Sequence, residues 1–427
     1  MIAKKENLSI LILLIPLSFI LGIVLTEILV LFCILLFLIN YKEKLILSNY
    51  QTIFLILFSF YVSLNSFFQI NGEYSENLKL SSLVHLRFVF FALSIAYLCS
   101  LYEKKKSHIF FYTFIFILSF LLIDAVFQFL NGSNFFGYKV IHGRVSSFFK
   151  DELILGSFLV RIVPIILWLI FILDIDFKKN FLLITIFFAI YIICIYISSE
   201  RTSFFLLLFS IFFIFFIFPE LRKILISSII LLVLFIFSSS YLQIGDYDPA
   251  NRMFKKTFNQ IVISSNDNLN NKEVISSEHK LRKLRIYSKE HEGHIKLALN
   301  LFNQSKIFGV GPKGFRFYCR KVDYKPEIGI CSTHPHNVAI QILTELGFIG
   351  LIFYLIAIIF VISVLFRVFK IKNRSKEHLA LQAITLGLII NLFPLVPGGN
   401  FFNNWISITL YYNIGIFIYS YKKCLQN

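Results

Sequence analysis

Twelve apolar runs, near residues 8–22, 24–40, 51–69, 83–101, 108–130, 152–174, 181–197, 204–218, 224–240, 348–369, 378–394 and 403–421, restrict this chain more than any other feature. Runs of that length read as helices crossing the ~30 Å hydrocarbon core of a bilayer. The composition asks for such a solvent: 57% of the residues are hydrophobic, 15% are charged and 53 are Phe, more apolar surface than a soluble domain can bury. The chain is therefore expected to be all-α, a polytopic integral membrane protein of about 12 transmembrane helices. A tight turn around Gly22 and Glu27 joins the first two runs. Lys4 and Lys5 make the first run resemble a signal peptide, but no small-residue cleavage site follows before the second, so it is expected to stay as an anchor.

Lysine and arginine collect in alternate short segments: "AKKEN", "YKEK", "YEKKKS", "DFKKN", "PELRK", "FRVFKIKNRSKEH" and the tail "YKKCLQN". The positive-inside tendency assigns these, with both termini, to the cytoplasm. "NGEYSENLK" and "FPLVPGGNFFNN" take the other side. Three parts follow: a bundle of about nine spans over 1–240, a large periplasmic loop over 241–335, and about three spans over 336–427.

Part of the net charge of +17 is this orienting charge. The outer loop, however, carries 16 Lys/Arg against 9 Asp/Glu, and long loops are exempt from the orienting tendency. Its excess points either to an anionic ligand or to anionic lipid headgroups. No nucleic-acid-binding motif is visible, and nucleic acid is not an expected partner. Cys33, Cys99, Cys194 and Cys424 lie in or beside spans, where a thiol is a small apolar side chain. Cys319 and Cys331 flank "RKVDYKPEIGI" in the outer loop, where an oxidising periplasm would favour a disulfide; two free thiols are the alternative.

Ionisable groups in spans are costly to bury and usually face a cavity or a partner. On this topology Arg87, Asp124 and Gln128 lie near the outer ends of their spans, and Arg161 is deeper. Arg144 and Lys150 sit in the outer loop 131–151, and Glu200 with Arg201 forms the outer turn "ISSERTSFF". All fall on one side, as befits a site working at one surface rather than an ion path through the bilayer. For any single residue, snorkelling or an interhelical salt bridge, such as Asp124 with Arg144 or Arg161, is the competing explanation.

In "STHPHNVAIQILTELGFIG", residues 332–350, Pro335 suits the first turn of a helix. Asn337, Gln341 and Glu345 then share one polar stripe, with Val338, Ile342, Leu343 and Leu346 covering the rest. His336 stands at the N-terminal end, where backbone N–H groups favour an anion, and is suited to proton transfer near neutral pH. His334 with His336 as metal ligands is the weaker reading, because no Cys or carboxylate stands at ligand spacing. Gly347 and Gly350 allow a bend or close helix contact. Upstream, "IFGVGPKGFRF" sets Gly309, Gly311 and Gly314 around Lys313 and Arg316. Without P-loop spacing it reads either as a backbone approach to an anion or as an ordinary turn after the amphipathic "HIKLALNLFNQS".

Taken in order, "IDAVFQFLNGSNFFG", "GRVSSFFKDELILGSFL", "SSERTSFFLL", "ALNLFNQSKIFGVGPKGF" and "THPHNVAIQILTELGFIGL" resemble the O-antigen ligase and polymerase superfamily. The most specific element is His-Asn followed by Glu-x-Gly-x-x-Gly; "KDE" at 150–152 stands where some relatives have Pro-Asn. The resemblance implies a GT-C-like glycosyltransferase of the bacterial inner membrane, acting on the periplasmic face without nucleotide sugar or metal cofactor. Its donor would be an undecaprenyl-diphosphate-linked glycan, and its acceptor a lipid A core sugar or another glycan. Arg144 and Arg201 would hold the diphosphate and His336 would act as base. Asn337 and Glu345 would support the His-bearing helix. Arg87, Arg161, Glu200, Lys313 and Arg316 are further substrate-binding candidates. The sequence leaves ligase and polymerase open. A flippase for lipid-linked oligosaccharide and a non-catalytic assembly partner are the competing classes; a flippase would place polar groups deep in the bilayer.

Overall fold

The computed structural model describes residues 8, 10–40, 50–67, 82–101, 104–242, 245, 247–255, 257–258, 287–320 and 331–425. The segments "AKKEN", "YKEK" and "NGEYSENLK" and much of the 241–335 loop lie outside the described residues. The described residues are mostly helical, with two isolated bridge pairs and no strand among them. In chain order the helices are α1 Leu11–Leu21, α2 Ile23–Asn40, α3 Tyr50–Asn65, α4 Arg87–Ser100, α5 Lys104–Asn131, α6 Leu155–Leu173, α7 Phe181–Ile197, α8 Arg201–Ile217, α9 Arg222–Tyr241, α10 Lys289–Gln304, α11 Gly314–Tyr318, α12 Val338–Phe369, α13 Lys376–Asn391 and α14 Asn404–Leu425. Every apolar run overlaps one of them. Five stretches, Ile23–Asn40, Phe111–Asn131, Leu155–Leu173, Pro219–Tyr241 and Val338–Phe369, are long and apolar enough to cross a membrane by length and composition. The other runs form shorter or less apolar helices.

Helix α6 is the hub. It is apolar all round, and a helix of that kind belongs inside a bundle; all but Ser157 of its residues are buried. It packs along α13, α7 and α8, while α14 lies along α4 and α13. Near its N-terminal end stands Glu200, and past its C-terminal end Asp174 pairs with Lys376. These ends are roughly 28 Å apart at 1.5 Å per residue. The "DFKKN" segment thus lies at one end of the bundle and "SSER" at the other.

One break in a helix positions the site. Within α12, Gly347 adopts φ 66°, ψ −163°, which divides the helix into an upper piece and a long lower one. The break frees carbonyls and amides that lipid cannot satisfy. The segment "KIFGVG" satisfies them. Val310 N donates to Thr344 O and Gly311 N to Glu345 O, both at 2.9 Å, and Phe348 N donates to Lys306 O at 2.8 Å. Tyr61 Oη donates to Leu346 O at 2.6 Å, and Asn65 Nδ2 to Phe308 O at 2.7 Å. Such close approach requires glycine on both sides. A Cβ on Gly309 would stand 2.5 Å from Glu345 C, and one on Gly347 2.2 Å from Ile307 O. The glycine-rich segment is thereby accounted for as a backbone clasp; its Val310 and Gly311 amides point at helix carbonyls rather than at an anion.

Beside the clasp, Leu297, Ala298 and Leu301 of α10 pack with Val310, Phe315 and Cys319 into a small separate core. Cys319 and Cys331 form a disulfide there. Gly309→Val is expected to destabilise the protein by about 1–3 kcal/mol or more. Gly398→Ala, whose Cβ would meet only Val338 Cγ2 at 3.5 Å, should leave it nearly unchanged. Thermal unfolding of the purified variants in detergent reads both; equal losses would sink the clasp.

Candidate active site

The upper piece of α12 begins at Val338, not at Pro335 as the sequence suggested. Asn337 is the better start because its Oδ1 accepts from Ile340 N at 3.0 Å, which satisfies an orphan amide. Its Nδ2 donates to Pro394 O at 2.7 Å. His336 therefore precedes the helix, in the left-handed region at φ 57°. Gly398 holds this turn on two sides: its N donates to His336 O at 2.9 Å, and its O accepts from His334 Nε2 at 2.9 Å. The polar stripe is fully engaged. Gln341 Nε2 donates to Glu345 Oε2 at 3.0 Å and to Asn400 Oδ1 at 2.8 Å, and Gln341 Oε1 accepts from Phe401 N at 2.9 Å. Glu345 Oε1 accepts from Phe315 N at 3.2 Å. Asn337, Gln341 and Glu345 are all buried and brace the His-bearing turn.

His336 lies at the centre of four imidazoles. Its ring centroid is 4.1 Å from His334, 5.1 Å from His291 and 5.3 Å from His294. Its Nε2 meets Ser332 Oγ at 2.9 Å. His291 and His294 come from the first turns of α10, one turn apart and therefore on one face. Ser288 caps that helix by accepting from His291 N at 3.2 Å, and its Oγ also meets His291 Nδ1 at 2.7 Å. Among the described residues, no group of three or more His, Cys, Asp or Glu side chains is placed to hold a metal ion.

The second cluster is cationic. Arg144 Nη2 donates to Leu153 O at 2.6 Å and lies 3.6 Å from Glu200 Oε1. Its Nε is buried without a partner among the described residues. Burial lowers the pKa of this guanidinium, opposed by Glu200 and reinforced by the charge of Arg252. Glu200 itself accepts from Gly156 N, Ser157 N, Ser157 Oγ and Ser203 Oγ at 2.8, 3.1, 2.7 and 3.0 Å. A carboxylate at the N-terminus of α6 suits the positive end of the helix dipole. Arg201, exposed at the start of α8, reaches Thr257 Oγ1 at 3.5 Å. Arg252 donates from Nε to Ser199 O at 3.2 Å and from Nη1 to His142 O at 3.4 Å. Its charge acts on both Arg144 and Arg201, and that of Arg201 reaches His291. The charge of Arg201 thus links the arginine cluster to the imidazoles electrostatically at His291.

The remaining candidates are placed differently. Arg87 pairs with Glu27 of α2 at 3.0 Å. Arg161 is buried in the bundle, donating from Nε to Asn391 Oδ1 at 3.1 Å and from Nη1 to Ser157 O at 3.0 Å, with Trp405 beneath it at 5.7 Å. Lys313, left-handed at φ 62°, precedes α11; burial and then Arg316 lower its pKa. Arg316 in turn acts on His334. Lys150 stands over Tyr138 at 5.4 Å. Asp124 forms no bridge to Arg144 or Arg161: it accepts from Asn134 Nδ2, Phe135 N and Ser147 Oγ and so ties down the 131–151 loop. Gln128 does the same, accepting from Ser146 N and Ser147 N. Arg252, His291 and His294 were not singled out from the sequence. For the histidines a signal existed, since "HEGH" continues the face of Leu297 and Leu301 by helical spacing.

Two adjoining apolar cavities between α3, α12, α13 and α14 share Phe54, Leu55, Ala357, Leu392 and Ile414. The second reaches Ile342 and Phe401, beside Gln341. The all-helical bundle, with its long apolar helices, is that of a multi-pass membrane protein, and its guanidinium and imidazole groups gather toward one end. Over residues 186–355 the chain matches the family model described as O-Antigen ligase, in line with the superfamily that its motifs resemble. That stretch contains Glu200, Arg201, Arg252, the four histidines, Lys313, Arg316, Asn337 and Glu345, whereas Arg87, Arg144 and Arg161 precede it. A search of curated proteins finds no match.

Burial pushes His336 down to about 3, helped by the charges of His334, His291 and His294 and opposed by Gly398 O. His334 is pushed down to about 4, again by burial first. The unfolded chain takes protons on these rings below the usual 6.5, which the folded protein resists. Stability is therefore complete above that value and falls as pH is lowered from there toward the folded values. The thermal midpoint in detergent should drop between about pH 7 and about pH 5, and the drop should shrink in His334→Gln/His336→Gln. An unchanged slope in the double variant would contradict the assignment.

Proposed function

We propose that this protein is a periplasmic-face glycosyltransferase that transfers or polymerises glycan from an undecaprenyl-diphosphate-linked donor during surface polysaccharide synthesis. The observation that carries the reading is the pairing of a guanidinium group, Arg144 beside Glu200 with Arg252 at Ser199 and His142, with an imidazole cluster around His336 on which the charge of Arg201 acts at His291. Guanidinium groups fork onto phosphate oxygens and keep their protons, so they stabilise charge that grows on a departing diphosphate. The buried, unpartnered Nε of Arg144 suits such a ligand.

In the reaction, the acceptor hydroxyl loses its proton to His336 and its oxygen bonds to the anomeric carbon. The bond from that carbon to the diphosphate oxygen breaks with its electron pair, leaving undecaprenyl diphosphate. A single displacement inverts the anomeric centre. Burial keeps the His336 ring neutral near neutral pH. A bound diphosphate would raise its pKa, because an opposite charge nearby favours the imidazolium. Donor binding thus prepares the base. The apolar cavities beside Ile342 offer hydrocarbon surface for part of the polyprenyl chain.

Membranes carrying the variants, supplied with undecaprenyl-diphosphate-linked glycan and acceptor, test this. Arg144→Ala, Arg201→Ala and His336→Ala should each lower transfer on the order of 10²-fold at normal protein level. Undiminished product from His336→Ala would refute the enzyme reading and favour a transporter or an assembly partner. Deletion followed by gel analysis of surface lipopolysaccharide separates the two enzyme types: loss of every capped species with long chains left on the carrier means ligase, and a single repeat on the core means polymerase.

A further inference from the structure

His336 sits among hydroxyl and imidazole side chains. Its ring is half-buried, bounded by Ser332 and His334 from its own segment and by His291 and His294 from α10. Charged and titratable groups face this cluster from several elements: Glu290 on α10, Arg201 on α8 and Arg316 on α11. From the 394–400 loop come only the backbone of Gly398 and the Asn400 amide, which donates to Thr333 O. Of the three neighbouring imidazoles, His334 is buried with both ring nitrogens engaged, by Thr333 Oγ1 and Gly398 O. His294 is buried at 4% exposure. His291 alone among them is half-exposed. It stands edge-on to His336 at an interplanar angle of 83°; burial and then the charge of His294 lower its pKa, opposed by Glu290, exposed next to it in sequence.

Resting on the glycosyltransferase reading, we infer that His291 is a positioning residue that takes over the acceptor proton from His336 and delivers it to solvent, so that the two rings act as a relay. The balance is simple. The acceptor O–H bond breaks to His336, a nitrogen of His336 returns the proton toward His291 directly or through one water, and His291 releases it outside. No other reactant is consumed. Ser288 and Ser332 each hold one nitrogen of the respective ring, which fixes ring orientation as a relay requires. An imidazole is suited to the outlet because it exchanges protons on both sides of neutrality.

The test uses the full-length protein in detergent with undecaprenyl-diphosphate-linked glycan and a defined acceptor. His291→Gln and His291→Ala, both checked for protein level and thermal midpoint, should lower kcat on the order of 10²-fold with little change in KM for the donor. Added free imidazole should restore much of the loss in His291→Ala, and the acidic limb of the kcat–pH profile should shift in His291→Gln. A merely structural role would show neither. Wild-type kcat in His291→Gln beside an inactive His336→Ala overturns the relay alone. So does a loss in His291→Ala that imidazole cannot restore. Activity surviving His336→Ala overturns the underlying reading and the relay with it.

Discussion

A backbone broken inside a nonpolar bundle must find new hydrogen-bond partners from another segment, and the rest of this site depends on that rule being met at Gly347. The break sets the upper piece of α12 apart from the lower one. Lys306–Gly311 supplies the missing donors and acceptors. Because the same segment leads from α10 into α11, the repair also fixes α10 against α12 and so brings His291 and His294 to His336. A second fastening comes from the 394–400 loop through Gly398, Pro394 and Asn400. Long-range contacts from α3, α10 and the α13–α14 connection thus converge on one short turn.

The charge arrangement follows the cost of burying ions. Glu200 is nearly buried, yet two backbone amides, two hydroxyls and a guanidinium address it. That is what an ionised carboxylate needs out of water. It can then hold Arg144 near Arg201 and Arg252, three like charges that repel one another. Such a cluster is unfavourable by itself, and an anion would relieve it. Arg87 pairs with Glu27, and Arg161 is buried against Asn391 while sharing Ser157 with Glu200. Which partner each arginine finds is set by tertiary contacts.

For that reason the sequence separated the groups only in part. Helices were legible throughout, because apolar runs without water have few alternatives. Arg144, Arg201 and His336 stood out as polar residues at one membrane side, and the structure brings the first two into one cationic cluster whose far edge meets the imidazoles. Arg252 could not be found this way, since it is one of many cations in a basic loop and only folding selects it. His291 and His294 carried a helical spacing that was legible but lay beside stronger features. The glycine-rich segment left two readings open, and backbone geometry decided for a turn that clasps a helix. Pro335 misled about the helix start, because a side-chain cap at Asn337 outweighs proline's tolerance of the first turn.

The central claim is that guanidinium and imidazole groups from separate elements enclose one place for a lipid diphosphate. A density map of the protein bound to undecaprenyl diphosphate tests it most directly. The account expects the phosphates against Arg144, Arg201 and Arg252, with His336 facing the adjacent open space. Phosphate density at the other end of α6, beside Asp174 and Lys376, would contradict it.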